Sequence, residues 1–489
     1  MARSTENTFA PINRVPPEVF PEVFPLILNH CGGDEELIKL THVCHRWREI
    51  FISHASLWTF LDCRNLDKTR AYLERSKTSP LWVWLDRRDG PFPNDAFLLT
   101  VPHFHRLKSV SLNGFSNDLL QLTKYFRSPA PLLEELDIDV SGDNPAAIEI
   151  TIFGGNLLSL HKLRLHGVLT NLPWRNMMNL TTFNFRQFLG SDTSATQLLD
   201  FFEHAPLLRK IRLWNSVPHP FNAPAERVVS LPHLKSIRMF NQPAHSILNH
   251  LLVPVGASVT MEFYFAGESP ITSHFPRPID NLANISHITS INLRFDSRIL
   301  MQIKGPSGGL HVAADQMYMH YPPPILDSPI LRSLNELPIL TTERLMIIHY
   351  DGSADPKIEE SSVHQTLLLM NSLRTLTLIN CTGLSFILAL NPIHNTSNAV
   401  ACPKLVELVL YIQRQQEDSC INELLEMTKE RASRGAKLST IVVVCPQELI
   451  RAENILELRR YVSCVEHRSD DEPPRWDFIS GEVDEIDEW

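Results

Sequence analysis

"APLLEELDI", residues 130–138, and "APLLRKIRL", residues 205–213, are near copies of one another. Each follows a stretch of helical spacing, "LLQLTKYFRSP" from Leu119 and "QLLDFFEHAP" from Gln197. The two share the core apolar-x-x-apolar-x-apolar. Its last two apolar positions lie two residues apart, as side chains on one face of a strand do. A helix followed by a strand is therefore written at least twice.

The same core recurs along most of the chain. It reads "LKSVSL" from Leu107, "LHKLRL" from Leu160, "LTTFNF" from Leu180, "LKSIRM" from Leu234, "ITSINL" from Ile288, "LRTLTL" from Leu373, "LVELVL" from Leu405 and "LSTIVV" from Leu438. The first six starts are separated by 26, 27, 20, 28 and 26 residues, and the next gap, 54, hides one repeat. This is the period of leucine-rich repeats, in which one strand and one helix stack sideways because no repeat buries its own apolar face. The fold class expected is α/β: an all-α N-terminal segment, then a leucine-rich-repeat solenoid over 101–465. Its parallel strands line a concave face and its helices lie outside. A closed, doubly wound α/β domain is the competing architecture.

Strand alternation yields a surface. If the fourth and sixth pattern positions face inward, the third, fifth and seventh face out. They read Glu135, Asp137, Asp139; then Lys162, Arg164, His166; Thr182, Asn184, Arg186; Lys210, Arg212, Trp214; and Ser236, Arg238, Phe240, with Arg294 further on. Lys162, Arg164, Arg186, Lys210, Arg212, Trp214, Arg238 and Phe240 form a basic stripe with two aromatics. The plain reading is a solvated sheet face. The sharper one is a binding surface for an acidic segment of a target protein, since arginine and tryptophan dominate interface hot spots.

The N-terminal part is different. "VPPEVFPEVFPLILNHC", residues 15–31, repeats PEVF, one helical turn long. Gly32-Gly33 stops the first helix, and Asp34 begins a second with Leu37, Leu40, Val43, Cys44 and Trp47 on one stripe. "SHASLW" then ends at Leu57-Trp58. About 45 residues make a poor core, so these apolar side chains must be covered by something else, a partner or the chain's own body. "HVCHRWREI", 42–50, with "SHASLW", 53–58, resembles the second half of an F-box, and Val15-Pro16-Pro17-Glu18 or Val19-Phe20-Pro21-Glu22 resembles its first. Pro25, inside the first helix, departs from that pattern.

Together with the repeats, the chain resembles F-box proteins with leucine-rich repeats, of the type numerous in fungi. The resemblance implies a non-catalytic substrate-recognition subunit of an SCF (Skp-cullin-F-box) ubiquitin ligase, cytoplasmic or nuclear. Val19, Pro21, Glu22, Val23, Phe24, Ile27, Leu40, Val43, Cys44, Trp47, Leu57 and Trp58 would dock the Skp adaptor, and through it cullin and RING subunits. The expected organisation is a disordered 1–14, an F-box over 15–62, a linker or cap over 63–100, the repeats, and an acidic tail from 466. A repeat scaffold whose drifted F-box no longer assembles a ligase is the alternative.

Composition narrows the rest. The 489 residues carry a net charge of −10. Residues 470–489 hold nine acids and one arginine, so the body is close to neutral, which argues against a nucleic-acid binder. The tail's charge complements the basic stripe: the plain reading is a solvated, disordered tail, and the sharper one is competition between tail and target for that face. No apolar run approaches a membrane span. The start lacks the apolar stretch of a signal peptide, and eight cysteines without a CxxC pair fit a reducing compartment. Cys31, His42, Cys44 and His45 match no zinc spacing, and no cofactor motif occurs. One catalytic pattern is present: "GPSGG", 305–309, satisfies GxSxG, with Asp351 and His364 following in chain order. The stretches around it read as extended, so the five residues are expected to form a hairpin turn and not a hydrolase elbow.

Overall fold

The computed structural model describes residues 14–20, 34–86, 94–115, 122, 125–141, 152–155, 157–167, 177–186, 195–214, 223–224, 226–240, 247–265, 279–295, 298–316, 331, 334–349, 360–379, 383–394, 399–412, 417–445 and 450–469. The chain is mixed α/β, with a mainly parallel sheet in each of two compact units. One comprises Met1–Pro224 with Val229–His233, the other Ala225–Val228 with Leu234–Trp489.

In the first unit the main strands are β1 (Phe60–Leu61), β2 (Leu81–Asp86), β3 (Leu107–Phe115), β4 (Glu135–Ser141), β5 (Lys162–His166), β6 (Thr182–Arg186) and β7 (Lys210–Trp214); β8 (Val229–Ser230) is a two-residue strand. β1 to β7 pair in chain order, every pair parallel. The leucine pattern explains this. Leu136, Ile138, Leu163, Leu165, Phe183, Phe185, Ile211 and Leu213, the fourth and sixth pattern positions, are all buried. The first pattern residue closes a turn: Leu133 N–H donates to Ala130, Leu160 to Leu157, Leu180 to Met177 and Leu208 to Ala205. The next N–H reaches the preceding repeat, Glu134 to Lys108, His161 to Glu134, Thr181 to His161 and Arg209 to Thr181. Each repeat thereby starts its strand at the same level, which fixes the register. Behind β6, Phe201 of helix α4 (Ala195–Glu203) packs on Phe183 at 4.4 Å between ring centroids.

The N-terminal segment is tied into this sheet. Helices α1 (Asp34–Thr41) and α2 (His45–Ser53) and a 3-10 turn (Ala55–Trp58) lead into β1. Phe20 stacks edge-on against Trp47 and Phe51. Trp58 is fully buried; its indole N–H donates to the Phe51 carbonyl at 2.8 Å, and its ring meets Tyr72 at 4.9 Å and the Arg75 guanidinium at 4.3 Å. Tyr72 and Arg75 belong to α3 (Leu66–Arg75). Residues 15–62 are therefore not purely helical, since they end in β1. Residues 63–100, expected to be a linker or cap, supply α3 and β2, and β2 pairs with β1 on one side and β3 on the other. Arg106, buried, holds α3's C-terminal end by donating to Ser76 Oγ and the Ser79 and Leu73 carbonyls.

In the second unit the strands are β9 (Ser236–Phe240), β10 (Leu251–Leu252), β11 (Ser258–Phe265), β12 (Ser290–Phe295), β13 (Arg298–Lys304), β14 (Gly309–Gln316), β15 (Arg344–His349), β16 (Thr375–Ile379), β17 (Glu407–Tyr411), β18 (Thr440–Val444) and β19 (Cys464–Arg468). The main sheet runs β9-β11-β14-β13-β12-β15-β16-β17-β18-β19. All pairs are parallel except those of β13, so β12-β13-β14 is a meander laid backwards into the ladder. The 54-residue gap holds β11, hidden because Gly256 stands at the pattern position that Leu234 fills in the neighbouring β9 repeat. From β15 onward strands alternate with α5 (Glu360–Leu369), α6 (Gly383–Leu390), α7 (Glu417–Ser433) and α8 (Ala452–Tyr461), and successive helices touch.

GPSGG is the β13–β14 hairpin turn, closed by Gly305 N–H to the Gly308 carbonyl at 2.9 Å. Its glycines are needed for close approach. A Cβ on Gly305 would lie 2.6 Å from the Asn284 carbonyl and one on Gly309 2.6 Å from that of Ile303, while one on Gly308 would overlap the Ala257 carbonyl. Ser307 thus sits on an antiparallel turn, without the strand-to-helix geometry that exposes a nucleophile. Asp351 lies outside the described residues, and His364 Nδ1 faces the Ala389 carbonyl at 3.1 Å. Among the described residues no helix is long and apolar enough to cross a membrane.

Candidate functional site

The strongest concentration of polar chemistry is the outward face of the first unit's sheet. In-register parallel strands place outward residues in rows. One row runs Ser109, Glu135, Lys162, Thr182, Lys210; the next Ser111, Asp137, Arg164, Asn184, Arg212; the third Asn113, Asp139, His166, Arg186, Trp214. Six of the predicted target-binding residues, Lys162, Arg164, Arg186, Lys210, Arg212 and Trp214, therefore share one surface. Arg238 and Phe240 lie on β9 in the second unit, where their Cα partners are Thr260 and Glu262.

The stripe is not purely basic. β4 puts three acids beside the basic strand β5 and engages it. Lys162 Nζ is 2.8 Å from Glu135 Oε1. Arg164 reaches both Asp137 Oδ2 at 3.5 Å and Asp139 Oδ2 at 3.7 Å. His166 meets Asp139 at 3.4 Å through Nδ1 and Asn184 Oδ1 at 3.2 Å through Nε2. Arg186, exposed, lies over the Trp214 ring at 5.4 Å. Lys162 and Arg164 are thus partly neutralised within the chain.

Burial decides the electrostatics here. It pushes the Asp137 carboxyl up to about 6; Asp139 adds to that, while Arg164, His166 and Ser111 oppose it. For Asp139 burial also acts upward, but the hydrogen bond and charge of His166, with Arg164 and Arg186, outweigh it and hold the carboxyl below its usual range. Asp137 Oδ1 and Arg164 Nε are buried with no hydrogen-bond partner.

Aromatics at the β2 end of these same rows escaped the sequence reading. Trp82 and Trp84 alternate outward in "LWVWL", with Arg64 over Trp84 at 5.3 Å, Lys108 over Trp82 at 5.4 Å and Phe60 6.4 Å from Trp84. That period-2 run was the available signal.

The expected adaptor-docking residues divide. Pro21, Glu22, Val23, Phe24 and Ile27 lie outside the described residues, as does the acidic tail from 470. Val19 and Val43 are exposed; Leu40, Cys44 and Trp47 are half-buried. Leu57 and Trp58 are buried within this chain, Trp58 by α3, and present no surface to a partner. Ile38, 39% exposed, and Ile52, 37%, are apolar surface residues absent from the expected set. His42 faces Arg48 at 3.3 Å and His45 faces Glu49 at 3.4 Å, so neither converges with Cys44.

Compared with known proteins, the chain matches no family model and no curated protein.

Proposed function

We propose that this chain is the substrate-recognition subunit of an SCF-type (Skp-cullin-F-box) E3 ubiquitin ligase. Its N-terminal helices dock the Skp adaptor, itself joined to cullin and RING subunits, and the polar face of the first unit holds the target. The carrying observation is the segment from α1 to Trp58. It buries Phe51, Leu57 and Trp58 inward yet leaves Ile38, Val43 (58% exposed) and Ile52 in solvent. An inward anchor with outward apolar side chains suits a segment whose other half is a partner. Leu57 and Trp58 are buried within the chain, Trp58 against α3, and are not docking residues in this proposal. The chain contributes positioning, bringing target lysines to a ubiquitin-charged enzyme, and no bond chemistry.

The test is capture from native cells by the tagged full-length chain. The expected result is co-purification of a Skp adaptor with a cullin, lost on Val43→Asp. Capture without either subunit would instead favour a repeat scaffold whose F-box has drifted.

A further inference from the structure

The polar face carries five bases, Lys162, Arg164, Arg186, Lys210 and Arg212, against the three acids of β4. That balance suits an acidic segment, but the acids are already placed to compete with it. The competition is uneven along the strand. Lys162 and Glu135 form a close pair at 2.8 Å. Arg164 is spread between Asp137 and Asp139 at 3.5 and 3.7 Å, well beyond the 2.7–2.9 Å typical of charge-assisted N–H···O bonds. Its Nε and Asp137 Oδ1 remain without hydrogen bonds. Among the ion pairs described here, the loosest thus lies at the middle of the face, one strand from the exposed Arg186.

We propose that an extended acidic segment of a target binds across β5 to β7 by exchange at Arg164. The guanidinium leaves Asp137 for an incoming carboxylate, and Asp137 takes up one proton from solvent. The step balances: the guanidinium keeps its charge, a carboxylate replaces a carboxylate, and the displaced one becomes a carboxylic acid. The inference rests on the target-binding reading of this face and adds its proton coupling.

Three observations support the exchange. Asp139, unlike Asp137, keeps a second cation in His166 when Arg164 departs. Asp137 is largely buried, so leaving it charged and unpaired would be costly, and neutralisation is the cheaper outcome. Its carboxyl already stands at about 6, within two units of neutral pH. The groups facing Asp137 are the hydroxyls of Ser109 and Ser111 from β3, Glu135 and Asp139 from its own strand, and Lys162, Arg164 and His166 from β5. Arg186 and Arg212 stand beyond, on β6 and β7. Among these described groups, Arg164 forms an ion pair with Asp137 and Ser111 a hydrogen bond.

The experiment uses the full-length chain and a fluorescein-labelled peptide of six Glu-Asp repeats at low salt. Affinity is measured at pH 7.5 and 5.5, and proton uptake by calorimetry in two buffers of different ionisation heat. The expected result is binding at least about tenfold tighter at pH 5.5, with close to one proton taken up per peptide at pH 7.5. Asp137→Asn should bind at pH 7.5 as tightly as the native chain does at pH 5.5, and should lose most of the pH dependence. Saturable binding, abolished by Arg212→Glu but without proton uptake, would overturn the coupling and leave the face as a target site. A pH dependence that persists unchanged in Asp137→Asn would also overturn the coupling. No saturable binding at either pH would overturn the target-binding reading itself. The proton count needs only the native chain, so it decides the matter even if the variant fails to fold.

Discussion

At the scale of single residues, Asp137 shows how one carboxyl can be set against its own fold. Its folded pKa of about 6 exceeds the usual 3.8, with burial as the largest cause. Between those two values the folded chain holds a proton that the unfolded chain gives up. Its contribution to stability is therefore full below about pH 4, falls as pH rises toward 6, and levels off above. A shift near two units corresponds to at most about 3 kcal/mol. Asp137→Asn, neutral throughout, should be more stable than the native chain at pH 7.5 by about 1–3 kcal/mol. The advantage should shrink steadily toward pH 4.5 in denaturant titrations. An advantage independent of pH would mean that the gain comes from packing and not from ionisation.

At the scale of elements, the β13–β14 turn separates a sequence pattern from its meaning. GPSGG reads as a nucleophile motif, yet its glycines answer to backbone carbonyls of Asn284, Ala257, Val255 and Ile303 that leave no room for a Cβ. Gly308→Ala should destabilise the protein by about 1–3 kcal/mol through overpacking. Ser307→Ala, on an exposed turn, should stay within about 0.5 kcal/mol. A thermal melt of the two variants distinguishes a packing motif from a chemical one. The same region marks where sequence stopped being legible. Ten strands announced themselves by leucine spacing, and each appears. β11 did not, because Gly256 stands where the pattern calls for leucine. The β13–β14 hairpin was legible, since the stretches around GPSGG read as extended, but the pairing of β13 with β12 on its other side was not. On the polar face, outward residues followed from alternation alone. The neutralising of Lys162 and Arg164 needed strand adjacency as well, which places β4 acids opposite β5 bases. Trp82 and Trp84 were missed because α3 and β2 had been set aside as a linker.

At the scale of the whole molecule, the proposed docking role of the N-terminal segment would be coupled to the architecture of the first unit. An independent helical module could be removed without harm to the rest. This one ends in β1, paired with β2, and its Trp58 is held between Phe51 and α3. Apolar residues on it therefore fall into two classes with opposite consequences. Trp58 belongs to the core, where truncation to alanine typically costs about 3–5 kcal/mol. Ile38 and Val43 lie in solvent, where substitution usually changes stability by less than about 0.5 kcal/mol. If the outward residues are the adaptor contact, Ile38→Asp combined with Val43→Asp should cut adaptor capture more than tenfold with an unchanged melting temperature, because charge is placed in an apolar interface. Trp58→Ala should lower the melting temperature, and should reduce capture only in proportion to the folded fraction that remains. Capture and melting measured on the same preparations decide between a surface that recognises and a core that supports. Full capture by the doubly charged variant would remove these two residues from any adaptor interface.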